Sequence, residues 1–419
     1  MIFKILRSTP VVVFFTFLFV FGAPIQNVPL NTSKIALLVS LVIFFLIVIT
    51  NCLRGDFKLA PRPLYFLLFL SSFLVCYSAF LAVIKQTHDF SLTYNLFILT
   101  FENILGSYVF YRVFMKGKTS SQFLDIFVWI GLIQSIVIIL MFVDPAIREF
   151  VFYWFANEQI VEMSERYGGI RGFGIAGSVT YDFSVLLSVI MIFTSYQLCN
   201  SSQSQRFYIF AWVLGFVSIM MTGRTGFLGV FISLLLIFYF LRKKQSLLGI
   251  NQLVVISIVA ISACFIFLQD IWIQVVEVII PYAFEMFFSA FEGKGLSTNS
   301  TDLLYKMYFP IEQSTLFFGD AMWRGNSGGY YMHTDAGYMR HVLFYGVIGS
   351  AILYLLYIYA FVCSFNLCDK RWRFFILSIT GYFFVVHAKG DFLVGSSMNI
   401  KIFFLLFSFL ILKSKQYRV

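Results

Sequence analysis

The chain has 419 residues, of which 60% are hydrophobic and 12% charged, about half the charge of a soluble domain. That excludes a water-soluble globular protein, because there is more apolar surface than a single core can hide, and the bilayer is its solvent. The formal charge of +10 is read below as a topology signal, with no nucleic-acid partner implied.

In chain order, apolar runs long enough to cross about 30 Å of hydrocarbon are predicted near 9–29, 35–51, 64–84, 93–113, 123–143, 176–198, 207–222, 225–241, 250–268, 341–362, 374–388 and 394–412. The first follows Lys4 and Arg7 like a signal peptide but lacks an A-x-A site, so it is read as a retained helix. The expected architecture is an all-α polytopic membrane protein of about twelve transmembrane helices. Residues 1–419 form a single integral membrane domain in this reading, with both termini cytoplasmic. In that orientation 18 of the 30 Lys and Arg residues fall in short cytoplasmic segments, as the positive-inside rule requires.

Two external loops remain, 144–175 and the larger 269–340. Within the second, Asp270, Gln274, Glu277, Pro281, Glu285, Ser289 and Glu292 make a polar stripe on an otherwise apolar segment. It is expected to lie along the interface as an amphipathic helix. The six cysteines show no CxxC or Cys/His metal spacing, so neither disulfides nor structural zinc is expected. No internal repeat is evident, which disfavours the inverted-repeat transporters.

Charged residues without a topological role are candidates for chemistry. Arg166 and Arg171 lie in ERYGGIRGFGIAG, where a planar guanidinium suits phosphate; a local pair with Glu162 or Glu165 is the plainer reading of Arg166. Arg224, in TGRTG, sits in a tight hairpin at the membrane surface, where snorkelling to lipid phosphate is the alternative. His333, Asp335, Tyr338, Arg340 and His341 crowd into nine residues before helix ten. His333 is a candidate general base, and Asp335 is only an N-cap if the helix starts there. Gly346 and Gly349 read as helix-packing positions. His387, Lys389 and Asp391 stand between the last two helices, where a lysine on the external side calls for a partner. Glu102, Asp125 and Asp182 have no assigned role. Walker, G-x-S-x-G, H-E-x-x-H and D-x-D signatures are absent.

Over residues 165–400 the chain resembles the O-antigen polymerase (Wzy) family, within the group that includes the O-antigen ligases. The matching features are R-x-x-G from Arg171 to Gly174, the TGRTG hairpin, and a late loop ending in HTDAGY-x-R, followed by G-x-x-G in the next helix. The chain departs from the family at Gly319-Asp320-Ala321, where G-x-G is common. Thr334 after His333, in place of the ligases' Asn, favours polymerase over ligase.

The resemblance implies a multi-pass bacterial inner-membrane glycosyltransferase that polymerises undecaprenyl-pyrophosphate-linked repeat units at the periplasmic face. His333, Asp335 and Arg340 would be its catalytic residues; Arg166, Arg171, Arg224, Tyr338 and Lys389 would bind the substrate pyrophosphate. It implies no metal or other cofactor. The expected partners are the lipid-linked donor and acceptor, membrane lipids, a chain-length regulator and a flippase. A ligase acting on lipid A-core and a lipid-linked oligosaccharide flippase remain the alternatives.

Overall fold

The computed structural model describes residues 6–54, 60–166, 173–178, 181–201, 205–244, 299–325 and 328–416. The predicted span at 250–268 and the amphipathic segment at 270–292 lie outside the described residues.

Apart from two isolated bridges, every regular element among the described residues is helical. They are α1 (Thr9–Phe21), α2 (Thr32–Leu53), α3 (Arg62–Ile84), α4 (91–115), α5 (Ser120–Val143), α6 (Pro145–Phe155), α7 (Glu158–Arg166), α8 (Tyr181–Asn200), α9 (Gln205–Thr222), α10 (Phe227–Lys244), α11 (Asn299–Lys306), α12 (Gln313–Phe318), α13 (Gly337–Asn366), α14 (Lys370–His387) and α15 (Ser397–Gln416). Six of them, α2, α3, α5, α8, α9 and α13, are long and apolar enough to cross a membrane. The protein is an all-helical membrane protein.

Local chemistry fixes the ends of these helices. Pro10 begins α1, and Gly22 closes it with φ +57°, a left-handed conformation that glycine takes without strain. Thr119 and Gln122 form a reciprocal capping box at the start of α5. Asp369 caps α14 by accepting from Arg371 and Trp372 N–H, each at 3.0 Å.

The chain divides into two compact units. The first comprises Met1–Ala36 and Gly117–Thr298. Its centre is α8, in which every residue from Phe183 to Cys199 is buried. The helix is packed closely enough that a side chain at Gly131 on α5 would put Cβ 2.4 Å from Ile190 Cγ2. Asp125, without a role in the sequence, accepts from Tyr208 Oη–H at 2.8 Å and from the Gln197 side-chain amide. The 144–175 loop carries structure of its own: α6 and α7 fold back, and Val151 and Ile160 cluster with Met141 of α5 and with Phe173.

The second unit comprises Leu37–Lys116 and Asn299–Val419. In α4, α-helical turns alternate with two π-helical segments, Leu99–Leu105 and Tyr111–Met115. Such segments are rare and often mark functional positions. Glu102, in the first of them, is paired at 2.7 Å with Lys401 of α15, which is 2% exposed. The sequence reading took neither as half of a pair.

Helix ends in this unit sort by charge. One end gathers Arg62, Arg112, Lys116, Lys370, Arg371 and Arg373. The other collects the 85–90 connection, the 307–336 segment and the 388–396 turn, with mixed charge.

Candidate functional site

The mixed end of the second unit is built around a break in α13. Gly346 adopts φ +70° inside that helix, so besides the packing position read from sequence it is a kink in the backbone. Across from the break, Asp320 N–H donates to Leu343 O at 2.7 Å, and Ala321 N–H donates to Phe344 O at 3.1 Å. Gly319 and Gly346 interlock: a Cβ on either would lie 2.1 Å from a backbone oxygen of the other's segment, Phe344 O and Phe317 O respectively. Ala321 takes φ +54°, a left-handed conformation uncommon for alanine.

Residues 320–325 and Tyr331 are held from three sides. Thr87 Oγ1–H donates to Ala321 O at 2.8 Å. Asp89 Oδ2 accepts from Trp323 N–H at 2.6 Å and Arg324 N–H at 2.8 Å, while its Oδ1 accepts from Ser91 N–H at 3.0 Å. Asp320 accepts from Thr315 Oγ1–H at 2.7 Å and Tyr331 Oη–H at 3.1 Å. Sequence reasoning missed Asp89 because it stands in a six-residue connection with no motif around it.

Burial would raise the Asp89 carboxyl, but the N–H donors of Arg324, Ser91 and Trp323 outweigh it and hold the group below its ordinary value. A depressed folded pKa means that this contribution to stability is complete above the ordinary aspartate value of about 3.9. It is lost as pH falls through the lower folded value. Asp89→Asn is expected to weaken the tether by about 2 kcal/mol and to flatten that acid-side dependence. Faster hydrogen exchange at the Trp323 and Arg324 amides is the readout, and unchanged protection there would show the tether to be inert.

This scaffold seats Arg340. Its Cζ lies 3.6 Å from the Trp323 ring centroid and 4.3 Å from that of Tyr330, so the guanidinium is sandwiched between two aromatic planes. It is 8% exposed, whereas Tyr330 is 46% exposed and forms the outer cover. Asp335 is half-buried, and burial pushes its carboxyl above the usual range against the pull of Arg340 and Lys389. Asp335 is not an N-cap: α13 starts at Gly337, after an Ala336 cap without side-chain help. Tyr338 Oη–H donates to Phe384 O at 2.8 Å and so ties α13 to α14. His333 is exposed, and with Met332 it forms a pair of consecutive left-handed residues at φ +54° and +52°.

The two late motifs, 46 to 56 residues apart in sequence, meet here. His341 Nε2 lies 3.0 Å from Asp391 Oδ1, and His387 Nδ1 lies 3.9 Å from the same oxygen. Asp391 stands in the turn between α14 and α15. Burial alone would raise its carboxyl, but His341, His387 and Arg340 hold it below the ordinary range.

Of the other sequence candidates, Arg224 is half-buried in a single 3-10 turn, Arg224–Gly226, between α9 and α10 in the first unit. Arg166 is the last residue of α7, and Arg171 lies outside the described residues. The structure therefore brings together Asp335, Tyr338, Arg340 and Lys389, joins His341 to His387 and Asp391, and adds Trp323 and Tyr330.

Compared with known proteins, the chain matches no family model, and no curated protein is significantly similar to it.

Proposed function

We propose that the chain is a membrane glycosyltransferase of the O-antigen polymerase type, which joins polyprenyl-pyrophosphate-linked oligosaccharide repeat units at the outer face of a bacterial inner membrane. The observation that carries this reading is the buried, aromatic-sandwiched Arg340 with Asp335 and Lys389 beside it. A sugar hydroxyl of the acceptor repeat attacks the anomeric carbon of the donor chain. The bond from that carbon to the pyrophosphate oxygen breaks, and its electron pair leaves with the pyrophosphate. Arg340 and Lys389 stabilise the charge developing there, in a site shielded from water. Asp335, its carboxyl raised by burial, takes the hydroxyl proton. The stacked guanidinium is held flat, and its N–H edge has the bidentate geometry that phosphate oxygens accept. Arg171 and Arg224 enter this reading on their sequence motifs alone, as does His333.

The chain is proposed to cross the membrane about twelve times. Positive-inside orientation supports putting the basic helix ends of the second unit in the cytoplasm and the Arg340 end outside. In a background without the six native cysteines, Gly328→Cys should react with a membrane-impermeant thiol reagent in intact cells. Lys370→Cys should react only after permeabilisation. The reverse pattern would overturn the orientation.

A gel of lipopolysaccharide from a deletion strain tests the activity. Core capped with one repeat is the result expected of a polymerase. Bare core with accumulated polymer would make the chain a ligase, and a normal ladder would remove both readings.

A further inference from the structure

We propose that His341, His387 and Asp391 form a buried binding site for one divalent transition-metal ion of the zinc class, in the second unit beneath Arg340. The three side chains come from the first turn of α13, the last residue of α14 and the turn after it. One ligand atom from each lies within 4.8 Å of the others.

The second observation is polar and independent of spacing. His341 and His387 are fully buried and Asp391 is 4% exposed, yet His341 Nδ1, His387 Nε2 and Asp391 Oδ2 have no hydrogen-bond partner. Buried polar atoms are nearly always satisfied, so three orphans in one cluster point to a missing component.

The surroundings hold the trio as outer-shell groups hold metal ligands. Val394 N–H donates to Asp391 Oδ1 at 3.1 Å, and His341 Nε2 lies 3.0 Å from the same oxygen; the 3.2 Å bond from Phe392 N–H to His387 Nδ1 is the one that an ion on Nε2 would displace. Gly337 lets α13 approach so closely that a Cβ there would be 2.5 Å from His387 Cε1, Nδ1 and O. Trp323 sets its ring edge-on to His341 at 5.6 Å. Two imidazoles and one carboxylate select zinc, cobalt or nickel over magnesium or calcium, which prefer all-oxygen sets. The ion would clamp the 388–396 turn to the start of α13, a role separate from sugar transfer. The competing arrangement is a metal-free His–Asp–His hydrogen-bond chain.

Purified full-length protein, carrying no polyhistidine tag and stripped with chelator, should bind Zn2+ at one ion per chain by titration and elemental analysis. Co2+ should give the visible absorption of a low-coordinate N/O site, and Mg2+ should not compete. His387→Ala and Asp391→Asn should each weaken binding at least 100-fold. The chain's other two histidines serve as the control, so His88→Gln with His333→Gln should bind as before. Thermal melts of the stripped proteins report folding, and Zn2+ should raise the melting temperature of wild type but not of Asp391→Asn. No bound metal in folded wild type, or binding that survives both substitutions, would overturn the site in favour of the metal-free chain.

Discussion

Arg340→Lys should slow polymerisation of purified lipid-linked repeat units by about two orders of magnitude, or about 3 kcal/mol in the barrier, although it keeps the charge. An ammonium cannot stack between Trp323 and Tyr330 as a planar guanidinium does, nor offer phosphate a bidentate edge. Arg340→Ala should be at least as slow. Trp323→Leu, which keeps the arginine but removes one wall, should give an intermediate loss, because the guanidinium is then free to rotate. Protein abundance and melting temperature, measured alongside, separate a catalytic loss from misfolding. If Arg340→Lys turns over at the wild-type rate, the stacked guanidinium is structural, and the pyrophosphate is bound elsewhere. Arg171→Lys and Arg224→Lys in the same assay test whether those sequence motifs contribute at all.

Gly346→Ala and Gly319→Ala are expected to be the most damaging small substitutions in the second unit, each costing about 4 kcal/mol or more. Both glycines have φ near +70° with ψ close to 180°, a region essentially reserved to glycine that costs alanine about 1–3 kcal/mol, and both new methyls would meet a backbone oxygen at 2.1 Å. Backbone cannot swing aside as a side-chain tip can, so the broken helix and the 313–321 segment would have to separate. Gly328→Ala isolates the conformational part: its φ is +80°, but nothing lies within 4 Å of the new Cβ. It should cost only about 1–2 kcal/mol. Gly381→Ala, helical with open space around it, should be neutral or slightly stabilising. Thermal unfolding in detergent ranks the four. Equal melting temperatures for Gly346→Ala and Gly328→Ala would show that the interlock relaxes without cost.

The apolar runs were legible in the sequence because bilayer thickness imposes a length that composition alone reveals. Helices such as α3 and α5 start within three residues of the expected positions. What composition cannot encode is a change of hydrogen-bond register inside an apolar run, so the π-helical turns of α4 and the break at Gly346 came only from the structure. The site was half legible. Arg340, Asp335 and Lys389 announced themselves as charges out of place. Asp89 and Trp323 did not, because one reads as an ordinary loop acid and the other as an ordinary apolar residue, and only the third dimension makes them tether and wall. The meeting of His341 with His387 and Asp391 has no local spacing that a sequence pattern could have registered.

The buried helix α8 has a consequence for how the chain is made. Shielded from Phe183 to Cys199 by its neighbours, it need not be greasy, and it carries Asp182, Ser184, Ser188, Thr194, Ser195, Gln197 and Asn200. Most of these groups bond to the helix's own backbone, as Ser184 does to Tyr181 O and Thr194 to Ile190 O, and two also reach neighbouring helices. Ser195 bonds to Ser233 of α10, and Gln197 reaches back to Asp125 of α5. As it leaves the ribosome, α8 is a weaker candidate for entry into lipid than α2, α3 or α5, because its polar side chains lower its mean hydropathy to 1.5. Its packing is completed in two stages: Asp125 of the earlier α5 is present to receive Gln197, whereas Ser233 of α10 reaches Ser195 only after about forty more residues have emerged.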